Sequence, residues 1–343
     1  MNKTLSTITA GMAVLALFTS CDHKDLCFDH DQHALRYQAE IQAAYTRVWE
    51  YGQPGQTNWE HQWPLDFDFT YESLVPGFPK GLRAVVYNGD GNNRITNMDT
   101  FGGVLPLAAG SNDILFYNND TEYIVFDNMN SIATATATTR TRMRPTYAGS
   151  PFLAIAREQT VSEPDMLYGS SILGYSPEKT LAPVSLKVSM TPLVFTYYIR
   201  FEFKSGLKYV ALARGAMAGM AYGVNIYTGV TTDERSTIMF DADLTDFGTQ
   251  AFVRSFGAPA FDNRHYGNNA PATYGLNLEV RLRNGKIKTF DFDITDQIKN
   301  QPQGGVIVIR GLEITDAEGQ GGSSGFDVDV DGWGEYEDVP ITL

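Results

Sequence analysis

Few residues in this sequence have the type and spacing to do chemistry. Cys21 and Cys27 are the only thiols, and His23, His30 and His33 lie close to them. Thiolate and imidazole donors are zinc ligands, but a structural zinc site needs four well-placed donors, and a polar segment must first be ordered to offer them. A solvated tether without metal is the expectation there. A sharper candidate is Asp327-x-Asp329-x-Asp331-Gly332, with the glycine sixth and Asp338 twelfth, the spacing of a calcium loop in which Asp replaces the usual Glu. Phe326, Val328 and Val330 alternate with those carboxylates, and a strand lays its three Asp on one face about 7 Å apart rather than around an ion. An acidic, solvent-facing strand without metal is expected. A Ser-His-Asp triad would have to use His61 or His265, and no elbow between a strand and a helix is apparent to present a nucleophile. No glycine-rich phosphate loop occurs. Carboxylates are abundant, but the sequence places no two of them across a cleft. The expectation is a protein that is not an enzyme and carries no cofactor. Trp49, Trp59, Trp63 and Trp333 either pack in the core or form aromatic platforms for glycans.

The cysteines and the charge bound the class of protein. Lys3, the apolar residues 11–18 and the small Ser20 make a secretory signal over residues 1–20, too short to span a bilayer. Cys21, directly after it, resembles the lipobox cysteine of bacterial lipoproteins, although Phe18 stands where Leu is common. That resemblance implies acylation of the Cys21 thiol, which becomes the new N-terminus. Each buried CH₂ adds about 0.8 kcal/mol, so several acyl chains give durable anchoring. With Cys21 acylated, Cys27 has no partner and a disulfide framework is excluded. The formal charge of −14 repels nucleic acid, and no basic stripe is present.

The elements that would carry these groups read as strands. Residues 21–33 are a polar tether. From 35 to 45 the apolar Leu35, Tyr37, Ala39, Ile41, Ala43 and Tyr45 alternate with polar residues, the period of a half-buried strand. Residues 82–87 form a strand closed by the turn Asn88-Gly89-Asp90-Gly91. Residues 114–117 and 123–126 flank Asn118-Asn119-Asp120-Thr121 and predict a hairpin. Residues 134–144 read as a loop or exposed strand. Short apolar runs continue through 184–190, 193–203, 209–217, 222–227, 276–282 and 286–292, with Asn284-Gly285 as a hairpin turn between the last two. One short helix is expected over 293–300, capped by Thr295. Many short strands at regular spacing predict an all-β chain of two β-sandwich domains in tandem, at residues 34–160 and 161–343.

Several phrases carry a family resemblance: Cys21-Asp-His-Lys-Asp-Leu-Cys27, Tyr117-Asn-Asn-Asp-Thr-Glu-Tyr-Ile124, Ala213-Arg-Gly-Ala-Met-Ala-Gly-Met-Ala221 with Tyr227-Thr-Gly229, and Gly325-Phe-Asp-Val-Asp-Val330. Together they resemble the fimbrillin-like surface lipoproteins of the Bacteroides group, which include a family catalogued as a domain of unknown function. The resemblance implies two β-sandwiches, a lipid-anchored place in the outer membrane or at the cell surface, and a fimbrial or adhesion role with other fimbrial or surface subunits as partners. Lys24-Asp25 is similar to the charged export signal of that group. In fimbrillins, cleavage after an Arg near the first strand empties a groove that a neighbour's terminal strand fills. Main-chain hydrogen bonds then give affinity and alternate side chains give specificity. Carried to this chain, residues 35–45 are the strand-like segment, Arg36 or Arg47 the cut site, and Val339, Ile341 and Leu343 the alternating tail. Anchor-type subunits keep their lipid and are not cut. Glycan binding through exposed Trp is the alternative.

Overall fold

A computed structural model describes residues 34–52, 57–89, 91, 93–142, 158–259 and 273–320. The signal segment, the tether with Cys21, Cys27 and its histidines, His265, Trp333 and the acidic segment with Asp327 to Asp338 lie outside the described residues, as does the tail that follows. The chain is all-β and builds two β-sandwiches in tandem. Its strands are β1 (Arg36–Tyr45), β2 (Leu82–Tyr87), β3 (Arg94–Met98), β4 (Gly102–Pro106), β5 (Asn112–Asn118), β6 (Ile124–Asp127), β7 (Thr136–Thr139), β8 (Gln159–Val161), β9 (Tyr168–Tyr175), β10 (Lys179–Thr180) and β11 (Val184–Pro192). They continue with β12 (Phe195–Ser205), β13 (Val210–Ala221), β14 (Gly223–Asn225), β15 (Arg235–Leu244), β16 (Gly248–Ser255), β17 (Gly275–Leu282), β18 (Ile287–Asp293) and β19 (Gly305–Glu313). The helices are single turns: α1 (Trp59–Gln62), α2 (Thr295–Lys299) and α3 (Asp316–Gln320).

The first sheet runs β10-β1-β11-β9-β5-β2-β3, with β4 on the other side of β1. It curls on itself because β11 turns a corner: its first part lies parallel to β1, and its end pairs antiparallel with β9. Ile41, Leu82, Ile114, Phe116 and Met190 fill the interior. The second sheet runs β18-β17-β13-β15-β16-β12-β19, and β15 turns its corner by pairing first with β13 and then with β16. Tyr197, Phe201, Met217, Phe240 and Leu278 fill that interior.

A third core joins the two. β14, β7 and β6 form a small sheet between the sandwiches. It packs on Val85, Leu115 and Tyr117, which point out of the first sandwich, and on Leu193, Ile226 and Phe256 from the second half of the chain. Both faces of β2 and β5 are therefore buried. That is why residues 84–87 and 114–117 are continuous apolar runs rather than alternating ones.

Three expectations need correction. The sequence boundary at residue 160 does not divide the sheets: β9 and β11, beyond it, are bonded into the first sheet, and β14 pairs with β7. Only β8 lies near that boundary, and it joins β15 of the second sheet. Strand pairing is non-local, so the spacing of strands along the chain could not locate it. The stretches at 114–117 and 123–126 are not a hairpin, since β5 pairs with β2 and β9, and β6 with β7. Side chains redirect the turn: Asn118 accepts from Tyr168 N–H at 2.7 Å, and Asp165 accepts from the amides of Glu122 and Tyr123. Thr295 is not the cap of α2 but its first residue, and its hydroxyl accepts from Tyr274 N–H at 2.9 Å instead. The turns at Asn88-Gly89 and Asn284-Gly285 do join antiparallel neighbours, β2 with β3 and β17 with β18.

Candidate functional site

β1 lies between β4 and β11 of the first sheet. Its residues Ala39 to Tyr45 lie parallel to Val184 to Met190 of β11, while Gln38 to Gln42 run antiparallel to Pro106 to Gly102 of β4. The expected alternation holds: Ala39, Ile41 and Ala43 are buried and Gln42 and Ala44 exposed. No described pairing links β4 to β11 directly, so β1 is the bridge between them. Closeness is enforced by glycine. At Gly102 the backbone is left-handed, with φ +116°, and a Cβ there would lie 1.9 Å from the Ile41 carbonyl oxygen. Only glycine lets β4 press that near.

The two arginines that flank β1 differ sharply. Arg36 is exposed at the start of the strand. Arg47 follows its end and is half-buried, with its guanidinium 4.0 Å above the Phe78 ring and donating to the Pro76 carbonyl at 3.2 Å. The neighbouring Thr46 N–H donates to Met190 O at 2.9 Å, and the Tyr45 hydroxyl donates to Thr100 O at 2.8 Å. Burial pushes the Tyr45 phenol up to about 12, so it stays a donor at any physiological pH. Phe101, Phe78 and Tyr168 pack around that ring.

Trp49, Trp59 and Trp63 are brought together, but not as a platform. Trp49 is fully buried and meets Trp63 edge to face at 80°. The indole N–H of Trp63 donates to Phe69 O, and that of Trp59 to the Gln301 side chain. These rings seal the outer face of β12 and β19, with Phe67, Tyr198 and Val306. The Nδ1 and backbone N–H of His61 both face the Asn58 side chain at the start of α1. Among the described residues no group of three His, Cys, Asp or Glu side chains could hold a metal ion, and no helix is long and apolar enough to cross a membrane.

Two groups with structural consequences escaped the sequence. Glu50 is buried beside Trp49, and desolvation pushes its carboxyl up to about 7 even though Tyr71 donates to it at 3.2 Å. Gln301 binds the outer edge of β19 through both ends of its amide, accepting from Val306 N–H and donating to Val306 O. Gln297 accepts from Val308 N–H on the same edge. A polar residue near a short helix carries no mark of either role in the sequence.

Residues 58–241 match the family described as "Domain of unknown function (DUF5119)", more than half of the chain. The chain belongs to that family. The DUF5119 match reaches from α1 into β15 and so spans parts of both sandwiches. This DUF5119 protein is also similar to a Bacteroides ovatus protein provisionally named fimbrium anchoring subunit Fim4B, with 26% identity over 194 residues, 56% of each chain. It thus spans about half the length of that curated relative. A crystal structure from Bacteroides ovatus ATCC 8483, provisionally described as an adhesin, shares the fold with a TM-score of 0.55 at 19% identity, covering 87% of this chain and 99% of that one.

Proposed function

We propose that the chain is a cell-surface fimbrial or adhesion subunit that acts as a lipid-bearing anchor in the outer membrane. The observation that carries this reading is the filled slot between β4 and β11. A subunit that accepts a neighbour's strand must vacate such a slot first. Here β1 inserts Ala39, Ile41 and Ala43 into the core, and Arg47 behind it is held by Phe78 and Pro76. Proteases need an extended, released segment, so the bond after Arg47 is guarded by the fold. A subunit with its slot permanently filled would end a series of strand exchanges and hold the others, and the similarity to a protein named as a fimbrium anchoring subunit supports that role. Partner subunits would join by β-strand addition, and acylated Cys21 would supply the membrane hold.

Treating the folded, mature protein with an arginine-specific protease tests the reading. Mass spectrometry is expected to show cleavage confined to exposed sites such as Arg36 at the tip of β1, with residues 37–45 retained. Rapid cleavage after Arg47, with loss of β1 from an otherwise folded protein, would show a subunit that opens its slot. Separately, Cys21→Ala is expected to move the protein out of the membrane fraction.

A further inference from the structure

A concave surface lies where the two sandwiches meet the segment that links β1 to β2, and its walls are side chains other than those of β1. Phe69, Leu74 and Val75 from that connection, Met166 just ahead of β9, and Phe252 of β16 wall a groove of about 540 Å³. Its volume falls in the range of small-molecule sites, and meeting points of domains are where such sites concentrate. Phe69 and Phe252 form its rigid wall, edge to face at 5.4 Å. Phe252 stays 38% exposed although its ring stacks on the buried Tyr198.

The polar groups are few. Ser73 already donates its hydroxyl to Thr70 O at 2.6 Å, which leaves Thr196 and Arg254. A sugar offers many hydroxyls and would leave them unmatched here. Arg254 is the charged residue of the lining, and its ion pair with Glu163 is long at 3.9 Å. Glu163 also accepts from the backbone N–H of Arg254 at 3.2 Å. A guanidinium carries five donors in a planar fork, and one long contact leaves room for an anion.

We propose that this groove binds an amphipathic carboxylate, with its hydrocarbon chain against Phe69, Leu74, Val75 and Phe252 and its carboxylate on Arg254. The apolar wall selects the chain, and the one cation at its rim selects the charge. The inference does not rest on the anchor reading and holds or fails separately from it.

Calorimetric titration of the mature protein with octanoate, decanoate and dodecanoate, each below its micelle concentration, tests it. One site is expected, with affinity rising about fourfold per CH₂. Dodecylamine should bind at least tenfold more weakly than dodecanoate. Arg254→Gln and Ser73→Trp, the latter at an exposed position on the groove's lip, should each weaken dodecanoate at least tenfold with the melting temperature unchanged. Should Arg254→Gln fail to fold, Ser73→Trp and the amine comparison still decide. Multiple weak sites, full binding to Ser73→Trp, or equal binding of the amine would overturn the proposal.

Discussion

Glu50 shows how one buried side chain gives the fold a pH dependence. Its carboxyl is pushed from 4.5 up to about 7, so the native state holds the proton more tightly than the unfolded chain does. The stability from this group is therefore fully present below about pH 4.5 and is lost as pH rises through about 7. At most about 3 kcal/mol is involved, and solvent screening lowers it. Glu50→Gln keeps an acceptor for the Tyr71 hydroxyl without the charge. Thermal melts are expected to show little change at pH 5 and a clear gain at pH 8; parallel pH profiles for both proteins would exclude the group. Arg214 and Glu279 make a different buried pair, directly opposite each other on β13 and β17 and both withdrawn from water. Glu279→Ala leaves a buried guanidinium without its cross-strand carboxylate and is expected to cost about 3–5 kcal/mol in denaturant titrations. A loss under 1 kcal/mol would mean other partners hold the charge. Neither role was legible in the sequence, where Arg214 sits inside an apolar phrase and Glu50 beside a tryptophan. Burial is a property of what comes to lie opposite, and the sequence does not say what that is.

At the scale of elements, the sequence was most legible where local chemistry decides. The alternation of residues 35–45 marked β1 and its buried face, and the two Asn-Gly turns marked β2–β3 and β17–β18. It misled where long-range contacts override, as at Asn118 and Asp165, whose side chains break an expected hairpin. Edge protection was invisible. β19 pairs with β12 on one side only, and the amides of Gln301 and Gln297 occupy donors and an acceptor on the other. Such an edge is otherwise a template for another chain. Gln301→Ala uncovers both backbone groups of Val306 and is expected to lower stability by about 1–3 kcal/mol. It should also raise the sedimenting mass at high concentration. A monomer of unchanged mass would show that the surrounding aromatic residues alone protect the edge.

For the whole molecule, the shared core between the sandwiches governs cooperativity. Leu115 and Tyr117 from one half and Leu193, Ile226 and Phe256 from the other bury one another, and β14 is bonded to β7 across the middle. Neither half can unfold without exposing the other's apolar face. Scanning calorimetry is expected to show one transition whose calorimetric and van't Hoff enthalpies agree. Two resolved transitions would mean that the halves are independent. Two sandwiches were legible in the number and spacing of strands. Their division was not, because the strands that complete the first sheet come from beyond residue 160, and nothing in their composition distinguishes them from those of the second.

The parallel pairing of β1 with β11 has a consequence in time. The Gln38 side chain finds its partner, the Leu181 carbonyl, 143 residues further along the chain. Synthesis delivers the N-terminal strand first, and loop closure over such a span is slow. Until residues 184–190 arrive, Ala39, Ile41 and Ala43 have no β11 to pack beside, and the strand that seals the first sandwich is an exposed apolar ribbon. The nascent chain therefore passes through a stage in which β1 is an unpaired strand open to other chains. A holdase covering residues 36–45 until β11 has emerged would act at the one moment when that strand is available to the wrong neighbour.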